Sequence, residues 1–195
     1  ELKRRQKGTR SGSSVHRIGK KGSVSSKSIV TATDAAIQND IVPTLREMLA
    51  DDDLNFDIQS AAALALAKIG DESIVATIKA MALNERAGGG SYHKVVTESA
   101  GLSFGLLQKD SDDIRDFLVG IVENQKLNSS FVRPFAAISL GLLGNENDRD
   151  GKVPAALLKV IAGKEKKQDI KPAALLALGL MKNDAVVGDL FTMLE

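Results

Sequence analysis

The sequence predicts an all-α protein, an α-solenoid of antiparallel helical hairpins stacked side by side. Three observations lead there. Four stretches align without gaps over about a dozen positions: Ile58–Gly70, Val96–Gln108, Val132–Gly144 and Ile170–Lys182, with starts 38, 36 and 38 residues apart, a period typical of helical repeat arrays. Apolar residues recur at helical spacing within each copy, as at Ile58, Ala62, Leu66 and Ile69, which share one face of a 3.6-residue period. The composition, 43% hydrophobic with no Trp, one Tyr and six Phe, leaves Ala, Leu, Ile and Val to build the core, and these suit close helix packing.

The chain begins with a different kind of segment. Residues 1–28 carry nine basic side chains (Lys3, Arg4, Arg5, Lys7, Arg10, Arg17, Lys20, Lys21 and Lys27) and one acid, Glu1, for a charge of +8, against −7 for the rest and +1 overall. Gly8, Gly12, Gly19, Gly22 and many serines leave it without core-forming residues, so it reads as a tail or an inserted loop. Residues 29–195 form the repeat region, about four hairpins plus a terminal helix. Ile29 to Ile37 reads as the second helix of a degenerate repeat, which would make the basic segment an insertion in a larger array. The opening at Glu1 rather than Met points the same way, to a processed product or a piece of something longer.

Shorter amphipathic stretches alternate with the aligned copies: Ile41–Ala50, Ser73–Ala82, Asp113–Val122, Lys152–Ile161 and the beginning of a fifth at Ala185–Leu194. Pro43 and Pro154 fall within the first turn of two of them, where a missing N–H is harmless, and mark helix starts. Asp51–Asp53, Ala87–Ser91 and Asn145–Gly151 supply turns. The acids at Asp51–Asp53 and Asp110–Asp113 read as N-terminal caps and favourable charges at the positive ends of helices.

Two registers of the aligned copies stand out. Ala67, Gly105, Gly141 and Gly179 share one position, and because a helical glycine costs about 1 kcal/mol relative to Ala, backbones are expected to approach closely there. A second register carries Leu64, Leu102, Ile138 and Leu176, with Lys68, Leu106, Leu142 and Leu180 four residues on. This side would face solvent in an isolated solenoid, so the helices from Val96, Val132 and Ile170 are apolar nearly all round. Leu64, Leu102, Leu106, Ile138, Leu142, Leu176 and Leu180 are therefore candidate partner-binding residues. Cover by curvature or by a neighbouring repeat is the alternative.

Openings such as Ile41-Val-Pro-Thr-Leu and Lys152-Val-Pro-Ala-Ala-Leu, followed by second helices such as Ile58 to Gly70 ending in Gly-Asp, make residues 29–195 resemble HEAT repeats, in particular the phycobilisome-lyase type. The Leu-Gly-Leu cores at Leu140–Leu142 and Leu178–Leu180 also resemble proteasome/cyclosome repeats. Either resemblance implies stacked hairpins. In the HEAT pattern a basic residue follows the opening Val or Ile of the second helix. Arg133 and Lys171 match it, whereas Gln59 and Thr97 depart from it.

Catalytic chemistry finds few parts. The histidines are His16, in the basic segment, and His93, read as a solvated turn residue; the His-Glu iron ligands of HEAT-type hydroxylases have no counterpart. With no Cys there is no thiolate chemistry and no disulfide, which suits a reducing cytoplasm and an extracytoplasmic space alike. Gly22–Ser28 lacks the second glycine and the preceding strand of a phosphate loop. No cofactor or metal is expected, and no apolar run approaches the roughly 18 residues of a membrane span. The expected function is non-enzymatic: a protein-interaction scaffold, with possible self-association. The alternative is nucleic-acid binding through Lys3, Arg4, Arg5, Lys7, Arg10, Arg17, Lys20 and Lys21, by phosphate attraction without stacking aromatics.

Overall fold

A computed structural model describes residues 33–127, 131–144, 147–148, 150–165, 169–182 and 184–192. Regular structure among them is entirely helical. The basic segment and its candidate anion-binding residues, together with His16 and Gly22–Ser28, lie outside the described residues.

Asp34–Ala36 (α1), capped by the Thr33 hydroxyl, runs through a π turn at Ile37–Ile41 straight into Val42–Ala50 (α2). Two sequence expectations are corrected here. Asp34 to Ile37 lead into the first hairpin without a break and are not a separate second helix. Pro43 sits inside a helical run and does not open one. Its ring removes an N–H and crowds the carbonyl four residues back, and the wider π turn lies just where that misfit falls. The Thr44 hydroxyl donates to the Asp40 carbonyl at 2.8 Å.

The chain continues with Phe56–Ile69 (α3), a 3₁₀ turn at Glu72–Ile74, Val75–Leu83 (α4), Lys94–Leu107 (α5), Asp112–Glu123 (α6), Val132–Leu143 (α7), Lys152–Ala162 (α8), Ile170–Met181 (α9) and Ala185–Thr192 (α10). Successive helices pair as α2–α3, α4–α5, α6–α7 and α8–α9. Across the pairs, α3 packs on α5, α5 on α7 and α7 on α9, while α6 packs on α8 and α8 on α10. Leu66, Phe104, Leu140 and Leu178, one register of the aligned copies, are buried between these layers, with Ile78, Leu118 and Leu157 from the shorter helices. Each such side chain contributes about 1.5–3 kcal/mol by leaving water.

Helix ends follow local chemistry. Gly70 closes α3 at φ 87°, and at the same register Gln108 and Lys182 take left-handed conformations at φ 55° and 52° without being glycine. Ser111 caps α6, with Asp112 and Asp113 in its first turn. The Asp51–Asp53 run does not cap α3 as expected. Asp51 follows the end of α2, and the cap of α3 is Asn55, whose Oδ1 accepts from the Asp57 N–H at 2.7 Å.

Arg133 shows what the residue after the opening Val or Ile does. It is only 2% exposed. Its Nε and Nη2 donate to the Val122 carbonyl at 2.8 and 2.6 Å, and Nη1 donates to Glu165 Oε2 at 2.8 Å. Val122 lies in the last turn of α6, where carbonyls lack intrahelical donors. Gln59, which departs from the basic pattern, does equivalent work: its Nε2 donates to the Asp51 carbonyl just past α2, at 2.6 Å. A neutral donor thus ties the first hairpin as the guanidinium ties the third.

Candidate interaction surface

The face of interest belongs to the second helix of each pair, and its geometry follows from the small-residue registers. Ser139 of α7 lies against α5, where its hydroxyl donates to the Gly101 carbonyl at 2.7 Å and accepts from the Gly105 N–H at 3.0 Å. A Cβ added to Gly105 would fall 2.8 Å from the Ser139 Cα, and one added to Gly141 would fall 2.6 Å from the Ala177 Cα and 2.8 Å from its carbonyl oxygen. Backbones therefore touch at α5–α7 and at α7–α9. Ala67 occupies the register on α3 and is fully buried.

Gly179 is different. It occupies the same register on α9, yet a Cβ built there meets nothing within 4 Å. No helix among the described residues follows α9 in the column. The expectation that all four small residues mark close approach is corrected at this one.

The apolar stripe divides at the same place. Leu64, Leu102, Leu106, Ile138 and Leu142 are half-buried, because the following second helix leans over part of each. Leu176 and Leu180 are exposed, Leu176 at 53%. Three further residues unmarked by the sequence reading are exposed. Leu175 is 45% exposed, although its register holds the buried Ala63, Gly101 and Ala137 in the other copies, and on α10 Val187 and Phe191 are exposed, Phe191 at 66%. The signal for Leu175 lay in the alignment, where a Leu replaces a small residue only in the last copy. At the opposite end of the column Ile58 is 43% exposed, while Val96, Val132 and Ile170 at its register are buried, since no described second helix precedes α3.

The shorter helices meet through charge. Lys79 of α4 pairs with Asp113 of α6 at 2.6 Å, and Lys152 and Lys159 of α8 pair with Asp116 and Glu123 of α6 at 2.5 and 2.8 Å. Arg46 makes two bonds of 2.7 Å to Asp71. The Arg46 guanidinium, chiefly by its hydrogen bond, holds the Asp71 carboxyl below the usual range, against the opposing effect of burial.

Most groups of the polar clusters are held by structural bonds, while the buried Asp110 Oδ1 and Arg115 Nε have no hydrogen-bond partner. A cavity of about 740 Å³ lies between the starts of α6 and α8. Asp110 in it pairs with Arg115 and accepts from Asn147, Asp116 holds Lys152, and both oxygens of Asp148 accept backbone N–H groups opening α8. No group of three or more His, Cys, Asp or Glu among the described residues is arranged to hold a metal ion. His93 is an exposed turn residue with two contacts: its Nδ1 accepts from Val95 N–H at 3.4 Å at the start of α5, and its ring stacks on Phe56 at 3.7 Å between centroids. No helix among the described residues is long and apolar enough to cross a membrane.

Compared with protein-family models, curated proteins and solved structures, the chain has no match.

Proposed function

We propose that the chain is a HEAT-like α-solenoid that works without catalysis, as a scaffold binding a protein partner along its second helices. One observation carries this reading. The stripe Leu64, Leu102, Leu106, Ile138, Leu142, Leu176 and Leu180 keeps large aliphatic side chains half-buried or exposed at a register where water contact favours charge, and contiguous apolar surface of that kind marks interaction sites. The consecutive packing of α3, α5, α7 and α9 supports the solenoid arrangement, because each repeat then touches only its neighbours.

Replacing Leu102, Ile138 and Leu176 together by Gln tests the scaffold. The expected variant melts close to the parent chain and fails to capture the partner or to self-associate. A loss of several kcal/mol in urea unfolding would instead make the stripe ordinary core.

The charge division favours a second reading, nucleic-acid binding through residues 1–28, which carry +8 against −7 elsewhere. Affinity for generic DNA or RNA should then fall steeply with salt, and deletion of residues 1–28 should abolish it. Sequence preference should be slight, since Lys and Arg without stacking aromatics position a phosphate backbone and do not read bases. Binding that survives the deletion would move the site to Lys164, Lys166 and Lys167. No binding at low salt would leave the scaffold.

A further inference from the structure

Thr97 breaks the series of long donors at its register. Gln59 ties α3 to the chain just past α2, and Arg133 ties α7 both to the end of α6 and to Glu165 beyond α8. Threonine is too short for either task. Its side chain belongs to a residue only 4% exposed, yet the hydroxyl makes no hydrogen bond to any described residue. Where a longer side chain would run there is instead a cavity of about 340 Å³, enclosed by the end of α4, the start of α5 and the connection from α6 to α7, with Thr97 in its wall.

The rest of the wall matches the Arg133 site position by position. Ala82 is the last residue but one of α4, as Val122 is of α6, so it stands in the turn whose carbonyls lack intrahelical donors. Lys126 follows the end of α6 by three residues, as Glu165 follows the end of α8. One hairpin earlier, therefore, a hydroxyl replaces the guanidinium and an ammonium replaces the carboxylate. Lys94 brings a second ammonium to the same wall. Lys79, Lys109, Lys152 and Lys159 each pair with an acid, whereas neither Lys94 nor Lys126 pairs with a carboxylate among the described residues. No Asp or Glu among the described residues lines the cavity, and Leu83, Leu127 and Val132 supply its apolar part.

We propose that this cavity is a binding site for a small organic carboxylate with an apolar body and an amide donor. The carboxylate supplies the negative charge that Lys94 and Lys126 lack and accepts from the Thr97 hydroxyl, in charge-assisted bonds of the stronger kind. The amide N–H takes over the work of the Arg133 guanidinium, on the carbonyls that end α4; Gln59 shows that a neutral donor suffices there. The apolar body lies against Leu83, Leu127 and Val132. A few polar groups converging in a largely apolar hollow is the ordinary composition of a small-molecule site, and the volume falls at the lower end of that range. The occupied site would join α4 and α5 to the connection after α6 as Arg133 joins its own hairpin to the next. It shares no residue with the stripe along Leu102 and Ile138 and stands independently of the scaffold reading.

The test uses the full chain and benzoylglycine, a probe that carries all three groups. Amide NMR shifts are expected to saturate below about 10 mM probe, largest at Thr97, Lys126 and Leu127, and the melting temperature should rise with probe concentration. Benzoylglycinamide, which lacks the charge, should bind about tenfold more weakly or worse. Lys94→Gln with Lys126→Gln should weaken benzoylglycine by a similar factor; both side chains are exposed, so the free variant should keep its circular dichroism and melting temperature. Thr97→Arg with Lys126→Glu rebuilds the pair formed by Arg133 and Glu165, and should abolish binding while raising the melting temperature of the free chain. Absence of saturable shifts, equal affinity for the uncharged analogue, or affinity indifferent to the lysine substitutions would overturn the proposal.

Discussion

Gly141→Ala should destabilise the protein by about 3 kcal/mol, while Gly179→Ala, the same substitution at the same register one repeat later, should stabilise it by about 1 kcal/mol. The opposite signs come from what each new methyl meets. At Gly141 it would stand 2.6 Å from a backbone atom of α9, and α7 cannot yield without disturbing its packing on α5. At Gly179 it meets nothing, so only the gain in helix propensity remains. Urea midpoints of the two variants check the pair. A shift of the same sign in both would mean that the register has no role in packing.

The second large effect concerns Arg133. Its replacement by Met leaves the Glu165 carboxylate, 4% exposed, without its cation and the Val122 carbonyl without its donors. Stranding a buried charge in this way costs about 3–5 kcal/mol, and replacing Glu165 by Leu as well should recover much of the loss. The pair also sets a pH dependence. The hydrogen bond from Arg133 is the main reason the Glu165 carboxyl lies below its usual value of 4.5; burial opposes the shift, while the Arg133 charge, Gln125 and Lys171 assist it. A carboxyl depressed in the folded state contributes stability that is fully present above the unfolded value and is lost as pH falls through the folded one. Unfolding free energy should therefore drop with acid below about pH 4.5, and Glu165→Gln should flatten that limb. Asp71, held down by Arg46, supplies a further part of the slope that the variant leaves in place.

Much of this was legible in the chain. The spacing of the aligned copies located α3, α5, α7 and α9, and the glycines at 105 and 141 announced contacts that the packing bears out. What the sequence could not convey was which copy has a neighbour. Gly179 and Gly141 sit in nearly identical local sequence, and Ile58 is as apolar as Ile170, yet one of each pair is open because burial depends on the helix before or after it. The role of Gln59 was hidden for another reason. The HEAT pattern was read as a demand for positive charge, whereas the Asp51 carbonyl needs only a donor within reach. Pro43 illustrates the same limit at the backbone, since a proline two residues into a periodic stretch marks a helix start unless the preceding residues are already helical. Leu175 was visible as an exception in its column of small residues and passed unmarked.

The two kinds of contact joining neighbouring hairpins differ in stiffness. Second helices meet backbone to backbone, with Ser139 pinned to two groups of α5, a contact that resists sliding because any displacement drives atoms together. The shorter helices meet through lysine side chains such as Lys152 and Lys159, whose exposed pairs contribute about 0–1 kcal/mol each and weaken with salt. Mechanically the column of α3, α5, α7 and α9 is a spine and the other side a row of soft springs. Raising ionic strength weakens these exposed pairs and leaves the backbone contacts of the second helices in place, so it should loosen α8 against α6 with little change in melting temperature.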